Sequence, residues 1–224
     1  MPIPGTGILI TSMNIDAAHE DEFNLWYDRE HIAERVAIDG FMEARRYRAV
    51  DANPKYFATY TTARFEDLSS PAYQTALANQ TDWSKTNLAR FKDMVRVVGR
   101  ITVSRGQGRG AALAVVRLRP LDQTEALRNK LSLALDPGNT PEIISMHLIE
   151  SDPILSKSLT EPDKPNPGAA DWFVLIEGTS IQAVTQLAQS RFNKDVGDKG
   201  LSADLEIISL GSYQLLWDLA KADL

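Results

Sequence analysis

The order of predicted secondary-structure elements repeats along this 224-residue chain, and this repetition limits the fold more than any other feature. Short apolar, β-branched stretches and longer amphipathic stretches follow the order β-α-β-β-α-β, and the same order then recurs. The hairpin strands 55–60 and 171–176 can be aligned with each other, which indicates a divergent internal duplication. The predicted strands are 7–13, 41–50, 55–65, 95–103, 111–118, 143–150, 171–178 and 205–216, and the predicted helices are 16–38, 71–91, 122–135 and 181–192.

Each repeat predicts a ferredoxin-like unit whose two helices cover only one face of a four-stranded sheet. The strand 95–103 is apolar on both faces, as expected for a sheet that is covered on both sides. Burial of apolar surface stabilises by about 25 cal/mol per Å², and a tandem copy supplies the cover at high effective concentration. The sequence therefore predicts an α+β fold, with units 1–105 and 106–224 forming an intramolecular, pseudo-dimeric α+β barrel.

Composition excludes several classes of function. The hydrophobic fraction of 43% and the charged fraction of 24% are typical of a water-soluble globule, and no apolar run is long enough to span a membrane. The chain has no cysteine, which fits a cytoplasmic location, and its first residues do not resemble a signal peptide. The net charge of -6 argues against nucleic acid as a partner. We expect neither nucleic-acid nor membrane binding.

Two irregular segments connect the predicted elements. The run 105–110 contains three glycines but lacks the lysine and hydroxyl residue of a phosphate-binding loop, so it is interpreted as a flexible linker. The segment 151–170 contains four prolines and several charges. A loop of this length in a compact domain is either a lid or a mobile connection, and the sequence leaves both alternatives open.

The first predicted helix carries the clearest chemical signal. Its apolar residues form two stripes, one with Leu25 and Ile32 and the other with Trp26 and Tyr27, which predicts a helix covered on two sides. His31 lies one turn after Tyr27, and such a pair can supply acid–base chemistry because imidazole titrates near neutral pH. The alternative is that the aromatic residues belong to the core and that the histidine is structural.

Charged residues near this helix admit two interpretations each. Glu30 lies between the stripes, so its carboxylate must pair, reach water or have its pKa raised by burial. The cluster Arg45, Arg46 and Arg48 could attract a small anion, or it could lie on the solvent face of a strand. Spacing alone does not choose between these alternatives.

The run from Phe23 to Tyr47, with Trp26-Tyr27, Glu30-His31, Gly40-Phe41 and Arg45-Arg46-Tyr47, resembles the signature of EthD-like proteins. These belong to the dimeric α+β barrel superfamily, in which pockets between sheet and helices work without a metal or organic cofactor. The resemblance implies that His31 and Tyr27 are catalytic. It also implies ligand contacts from these residues: Trp26, Glu30, Arg45, Tyr47 and Tyr60. The corresponding helix of the second unit, Thr124 to Leu135, has no Trp, Tyr or His, so this unit is expected to act as a scaffold.

Metal and haem sites are not expected. Asp28 and His31 have the spacing of half a metal site, but no matching set occurs on another helix. Haem enzymes such as chlorite dismutase and dye-decolourising peroxidases also contain tandem ferredoxin-like units, and they use an axial histidine in the second unit. His147 lies in that half but on a predicted strand. We therefore predict no cofactor.

Two functions from different classes follow. The first is a cofactor-independent enzyme, of the isomerase, cyclase, dehydratase or monooxygenase type, that acts on a small aromatic or polyketide-like carbonyl compound. In it His31 would move a proton, Tyr27 or Tyr60 would hold the oxygen, and Arg45 would stabilise negative charge. The alternative is a non-catalytic binder of a small apolar metabolite. Either protein would be a monomer or a homodimer with a small-molecule ligand.

Overall fold

The computed structural model describes residues 2–122, 125–157, 166, 168–192 and 204–224. Eight strands form one closed barrel in which every neighbouring pair is antiparallel. Counted along the chain, they follow one another around the barrel as first, third, second, eighth, fifth, seventh, sixth and fourth. In the first half of the barrel the neighbouring strands are the fourth, first, third and second of the chain. In the second half they are the eighth, fifth, seventh and sixth, which is the same arrangement. The α+β class and the barrel are as predicted.

The first half of the chain follows the predicted order of elements, but its second helical stretch is divided. The stretch 71–91 is two helices instead of one, because the side chains of Ser70 and Thr81 each cap a new helix by accepting a backbone N–H bond. The elements are β1 (Gly7–Asn14), α1 (Glu20–Trp26), a π-helical turn (Tyr27–His31), α2 (Ile32–Ala37), β2 (Phe41–Asp51), β3 (Tyr56–Thr62), α3 (Pro71–Ala78), α4 (Asp82–Leu88) and β4 (Lys92–Gly106), with 3₁₀ turns at Ala17–His19 and Phe65–Ser69.

The second half contains the same order of strands and helices. Its elements are β5 (Ala112–Pro120), α5 (Glu125–Ala134), β6 (Ile143–Ser151), β7 (Trp172–Gly178), α6 (Ile181–Phe192), β8 (Leu205–Ala220) and a final 3₁₀ turn (Lys221–Asp223). The loop predicted between β6 and β7 lies partly outside the described residues. In its described part the Ser156 hydroxyl accepts a bond from the Val98 N–H and donates to the Val98 carbonyl, so this stretch is attached to the barrel.

The two longest strands close the barrel. β4 pairs with β1 through residues 92–100 and with β6 through residues 99–106. β8 pairs in the same way with β5 through residues 205–214 and with β2 through residues 212–220. Both strands are longer than predicted, because each starts in its own half of the sheet and continues into the other half.

The barrel separates three apolar clusters. One cluster fills the barrel interior and includes Ile8, Phe57, Val97 and Phe173. A second lies between the first half of the barrel and its helices, and a third lies in the equivalent position on the second half. Since both sheet faces are covered, all seven residues of β3 and all seven of β7 are buried. None of the helices formed by the described residues has the length and apolar character needed to cross a membrane.

Candidate functional site

The first helix contains a π-helical turn where the sequence predicts an uninterrupted α-helix. The backbone N–H of Ile32 donates to the carbonyl of Tyr27, five residues earlier. Such turns are rare and occur frequently at functional sites. Tyr27 and His31 at the two ends of the turn are buried, and so are Ile32 and Arg35, which follow it. Of the first predicted stripe, Ile32 and Val36 are buried as expected, whereas Leu25, before the turn, is 51% exposed.

Four predicted site residues lie together between this turn and the outer face of the sheet. The His31 ring centroid lies 4.2 Å from that of Trp26 and 5.0 Å from that of Tyr27. Tyr60, on β3, lies 6.1 Å from His31 in an edge-to-face arrangement. All four side chains are buried, and His31 does not project into solvent. The structure therefore brings the residues predicted from the helix to one position and adds Tyr60 from the sheet.

Five buried polar atoms next to these rings have no hydrogen-bond partner among the described residues. They are Thr11 Oγ1, His31 Nδ1, Arg35 Nη1, Arg46 Nε and Tyr60 OH. We call the five residues, together with Tyr27, the Tyr27 cluster. A buried polar atom without a partner costs about 1–3 kcal/mol, so native proteins normally supply one in the form of water or a ligand. The cluster thus has both donors and acceptors available for a guest molecule.

Burial dominates the titration of the cluster. It lowers the pKa of His31 well below its ordinary value, and the charges of Arg35 and Arg46 act in the same direction. Burial also raises the pKa of Tyr27 and raises that of Tyr60 well above the ordinary value. At neutral pH the imidazole is therefore an uncharged base, and both phenols remain protonated donors.

The arginine that faces the cluster is Arg46, where Arg45 was predicted. The guanidinium carbon of Arg46 lies 4.3 Å from the Tyr27 ring centroid, and Nη1 donates to Asp28 at 3.0 Å. The Nη2 of Arg46 donates to the Asn24 side chain. Along β2 the side chains alternate, and Ala44 and Arg46 share the outer face with Tyr60. The solvent-face interpretation of this arginine is also wrong, because Arg46 is buried.

Arg45 and Tyr47 lie on the opposite face of β2, inside the barrel, so the structure does not bring them to His31. Arg45 Nη1 donates to Glu177 at 2.9 Å and Nη2 donates to the Gly110 carbonyl at 2.8 Å. Arg109 donates to Glu177 through Nε at 2.7 Å and pairs with Glu43 through Nη1. We call Glu43, Arg45, Arg109 and Glu177 the barrel ion cluster.

The barrel ion cluster also changes the interpretation of the segment 105–110. Besides the contacts of Arg109, the backbone N–H of Gly110 donates to Glu177 at 2.8 Å. The segment predicted as a flexible linker is therefore anchored inside the barrel at its C-terminal end.

Trp26 and Glu30 support the site from the side of α4. The indole Nε1 of Trp26 donates to Ser84 Oγ at 3.1 Å, and Ser84 Oγ donates to Glu30 at 3.1 Å. Thr81, the N-cap of α4, also donates to Glu30 at 2.6 Å. The carboxylate predicted to contact a ligand is thus paired with the hydroxyl groups at the start of α4. The contacts of Glu30 with Thr81 and Ser84 attach α4 to the π-helical turn.

The last strand of the second half reaches over the first helix. Trp217 Nε1 donates to Asp28 at 2.8 Å, and Lys221 Nζ donates to the carbonyls of Ala37 and Ile38 at the end of α2. Trp217 and Leu219 also pack against the apolar cluster under these helices. The second half therefore contributes contacts next to the candidate site.

Sequence reasoning missed three members of the cluster: Thr11, Arg35 and Arg46. The signal for Arg35 was its spacing, four residues after His31 and eight after Tyr27, which is one helix face. The signal for Thr11 was its position between Leu9 and Met13 on one face of β1. The prediction of a cavity large enough for an aromatic ring remains a prediction, since the described contacts here are from ring to ring.

The histidine of the second half, His147, is the residue that an axial haem ligand would require. His147 is fully buried inside the barrel, its Nδ1 lies 3.0 Å from Ser104 Oγ, and its Nε2 lies 3.1 Å from Ser145 Oγ. Both ring nitrogens are occupied, so His147 does not fit an axial haem ligand. Within the described ranges, no group of three or more His, Cys, Asp or Glu side chains is arranged to hold a metal ion.

Residues 6–102 match the family model of a domain of unknown function, DUF4286. No curated protein matches the chain. Similar solved structures include an anthrone oxidase-like protein, with a TM-score of 0.63 and 13% identity over 99% of this chain and 96% of that one. A candidate monooxygenase from Lactobacillus acidophilus NCFM has a TM-score of 0.55 and 9% identity over 97% of each chain. A DyP-type peroxidase from Mycobacterium smegmatis has a TM-score of 0.54 and 9% identity over 95% of each chain. At these identities the likeness establishes the fold alone, and the chain has a ferredoxin-like fold of the dimeric α+β barrel type.

Proposed function

We propose that this protein is a cofactor-independent enzyme that transfers a proton on a small aromatic or polyketide-like carbonyl compound. The observation that carries the proposal is the Tyr27 cluster, in which an uncharged imidazole and two protonated phenols lie beside unpartnered buried polar atoms. A guest molecule in this cluster would satisfy groups that are otherwise costly to bury.

Each group has a chemical role that follows from its state. Neutral His31 accepts a proton from the carbon next to the carbonyl, and the Tyr60 hydroxyl donates a hydrogen bond to the oxygen on which negative charge develops. Tyr27 supplies a second donor, and the adjacent Arg46 favours negative charge near its ring. Return of the proton to another carbon gives isomerisation. Attack of the enolate on a second carbonyl gives cyclisation, and expulsion of a leaving group gives dehydration.

We further propose that the chain is an EthD-like protein produced by tandem duplication, with the site in unit 1–105 and a degenerate copy in 106–224. The identical sheet order of the two halves supports this origin. The paired use of the long strands β4 and β8 supports it as well. The helix of the second half contributes no histidine or tyrosine, so the proposed site is single.

The test is exchange of the acidic C–H protons of 1-tetralone and of anthrone with solvent deuterium, followed by NMR. We expect the protein to accelerate exchange and His31→Gln to abolish the acceleration, whereas His19→Gln, on the first turn before α1, leaves it intact. Because the pKa of His31 is lowered, exchange should stay constant as pH falls through 6.5. If the ketones bind in a way that Trp26→Ala abolishes but the protein does not accelerate exchange, the enzyme proposal fails and the protein is a binder. If His31→Gln keeps full exchange, His31 is not the base.

A further inference from the structure

Arg35 is a buried cation without a counter-ion. The residue is only 5% exposed, and its Nη1 has no partner. Among the ion pairs and side-chain hydrogen bonds of the described residues, none involves the Arg35 guanidinium. The adjacent Glu34 is exposed and interacts with Arg35 only through space. A buried charge without a partner is costly, and proteins normally pair it.

The surroundings of Arg35 increase the positive charge of the cluster instead of neutralising it. Arg35 and Arg46 both lie close enough to shift the pKa of His31, Tyr27 and Tyr60. Arg46 already has a partner in Asp28, and the hydroxyl groups of Thr11 and Tyr60 interact with the Tyr27 hydroxyl, which carries no negative charge. The described part of the cluster therefore has one positive charge, on Arg35, that no carboxylate in contact with it balances.

We infer that Arg35 binds the carboxylate of a small aromatic acid, which is the substrate or ligand of the Tyr27 cluster. This inference rests on the proposed function and specifies its substrate class. A guanidinium matches a carboxylate because its planar N–H groups can donate in parallel to both oxygens. The hydroxyls of Thr11 and Tyr60, which interact with Tyr27 in the ligand-free protein, can donate to the carboxylate in place of that contact. The rings of Trp26 and Tyr27 provide the apolar contacts that an aromatic ring needs.

A carboxylate fits this site better than a phosphate. The cluster offers one unpaired guanidinium and two hydroxyls, which match two oxygens and one negative charge. A phosphate dianion has more oxygens and charge than these groups can satisfy. The ligand's carboxylate would neutralise Arg35, and its carbonyl group would lie towards Tyr60 and His31, where the proposed proton transfer occurs.

The test compares benzoate and 1-naphthoate with benzamide and 1-naphthamide, which have the same rings but no charge, by isothermal titration calorimetry. We expect the acids to bind in preference to the amides. Arg35→Met should weaken binding of the acids about ten- to hundredfold, since hydrogen bonds to charged groups contribute about 1.5–3 kcal/mol. Arg29→Met is the matched control, because Arg29 lies on the same helix and is exposed. Equal affinities for acids and amides, or unchanged binding in Arg35→Met, would overturn the inference.

A second measurement separates a binding role from a structural one. Met has nearly the same length as Arg and no charge, so Arg35→Met should raise the melting temperature of the ligand-free protein, and Arg29→Met should not. A fall in melting temperature would mean that Arg35 stabilises the fold, and it would contradict the inference. Phosphate and chloride serve as further probes, and binding of these ions as tight as that of benzoate would indicate an adventitious anion only.

The two proposals can fail separately. His31→Gln should abolish proton exchange, while the acids should still bind in preference to the amides, because this preference comes from Arg35. If benzoate binds through Arg35 but no exchange is catalysed, only the enzyme proposal is wrong. If exchange is catalysed without any preference for acids, only the carboxylate inference is wrong.

Discussion

Glu177 is the residue on which the closure of the barrel depends most directly. It comes from β7 in the second half, and it accepts bonds from Arg45 on β2 of the first half, from Arg109 and from the Gly110 N–H. Its side chain is fully buried. In the variant Glu177→Gln the shape of the side chain is kept, but two buried guanidinium groups lose the carboxylate that they share.

The size of the effect can be estimated from this geometry. Removal of one partner of a buried ion pair costs about 3–5 kcal/mol, because the remaining charge stays buried without compensation. Glutamine can still accept the bond from Gly110, so we expect the lower end, about 3 kcal/mol. For a chain of this size, 1 kcal/mol corresponds to about 2–4 °C, which predicts a fall of roughly 6–12 °C in melting temperature.

The assay is urea unfolding followed by circular dichroism, with Glu66→Gln as the matched control. Glu66 also pairs with an arginine, Arg100, at 3.4 Å, but both side chains are more than half exposed. An exposed pair of this kind contributes at most about 1 kcal/mol. If Glu177→Gln destabilised the protein no more than Glu66→Gln does, the argument that the barrel ion cluster holds the two halves together would be refuted.

Two further predictions concern buried polar groups. Burial and the charges of Arg109 and Arg45 lower the pKa of His147 to about 3, so between pH 6.5 and 3 the unfolded chain binds a proton that the native protein does not. As the pH falls through this window, the free energy of unfolding should therefore decrease by up to about 1.4 kcal/mol per pH unit. Urea titrations at each pH should show a smaller decrease for His147→Gln. Ser84→Ala should lower the free energy of unfolding by about 1–3 kcal/mol because it leaves the fully buried Trp26 indole N–H without an acceptor. Ser69→Ala, at an exposed turn, is its control, and equal losses in the two variants would contradict this reasoning.

The fold could be predicted because its determinants are local patterns. Apolar stretches such as 7–13 and 171–178 are short, β-branched and bounded by turn residues, and the amphipathic stretches between them have helical spacing. The end of α2 was also predictable from the glycine at position 40. In the structure Gly40 has a φ of +88°, and a side chain there would collide with Asp67, so this position requires glycine. The lengths of β4 and β8 could not be predicted from local patterns. Their final residues form backbone hydrogen bonds only with strands of the other half of the barrel.

The candidate site was predicted less completely, and the reasons are register and helix geometry. The alternation along β2 separates Arg45 from Arg46, but which of them shares a face with Tyr60 depends on pairing with β3, which includes an irregularity between Phe41 and Glu43. The π-helical turn likewise depends on tertiary packing. The spacing of Tyr27, His31 and Arg35 indicated a shared helix face, but it did not show that the Arg35 guanidinium is buried without a carboxylate partner.

The two faces of the β1-β3-β2 sheet therefore carry different tasks, and this separation makes the proposals independently testable. The inner face holds the barrel ion cluster, in which every charge has a partner, so substitutions there should lower stability. The outer face holds the Tyr27 cluster, in which Arg35 has none, so its removal should raise stability and weaken ligand binding. In the ligand-free protein, Glu177→Gln should lower the free energy of unfolding and Arg35→Met should raise it. These opposite changes would be difficult to explain if both arginine-containing clusters were structural. The sign of the Arg35→Met effect is thus the measurement that distinguishes a barrel with a binding site from a barrel with only a polar core.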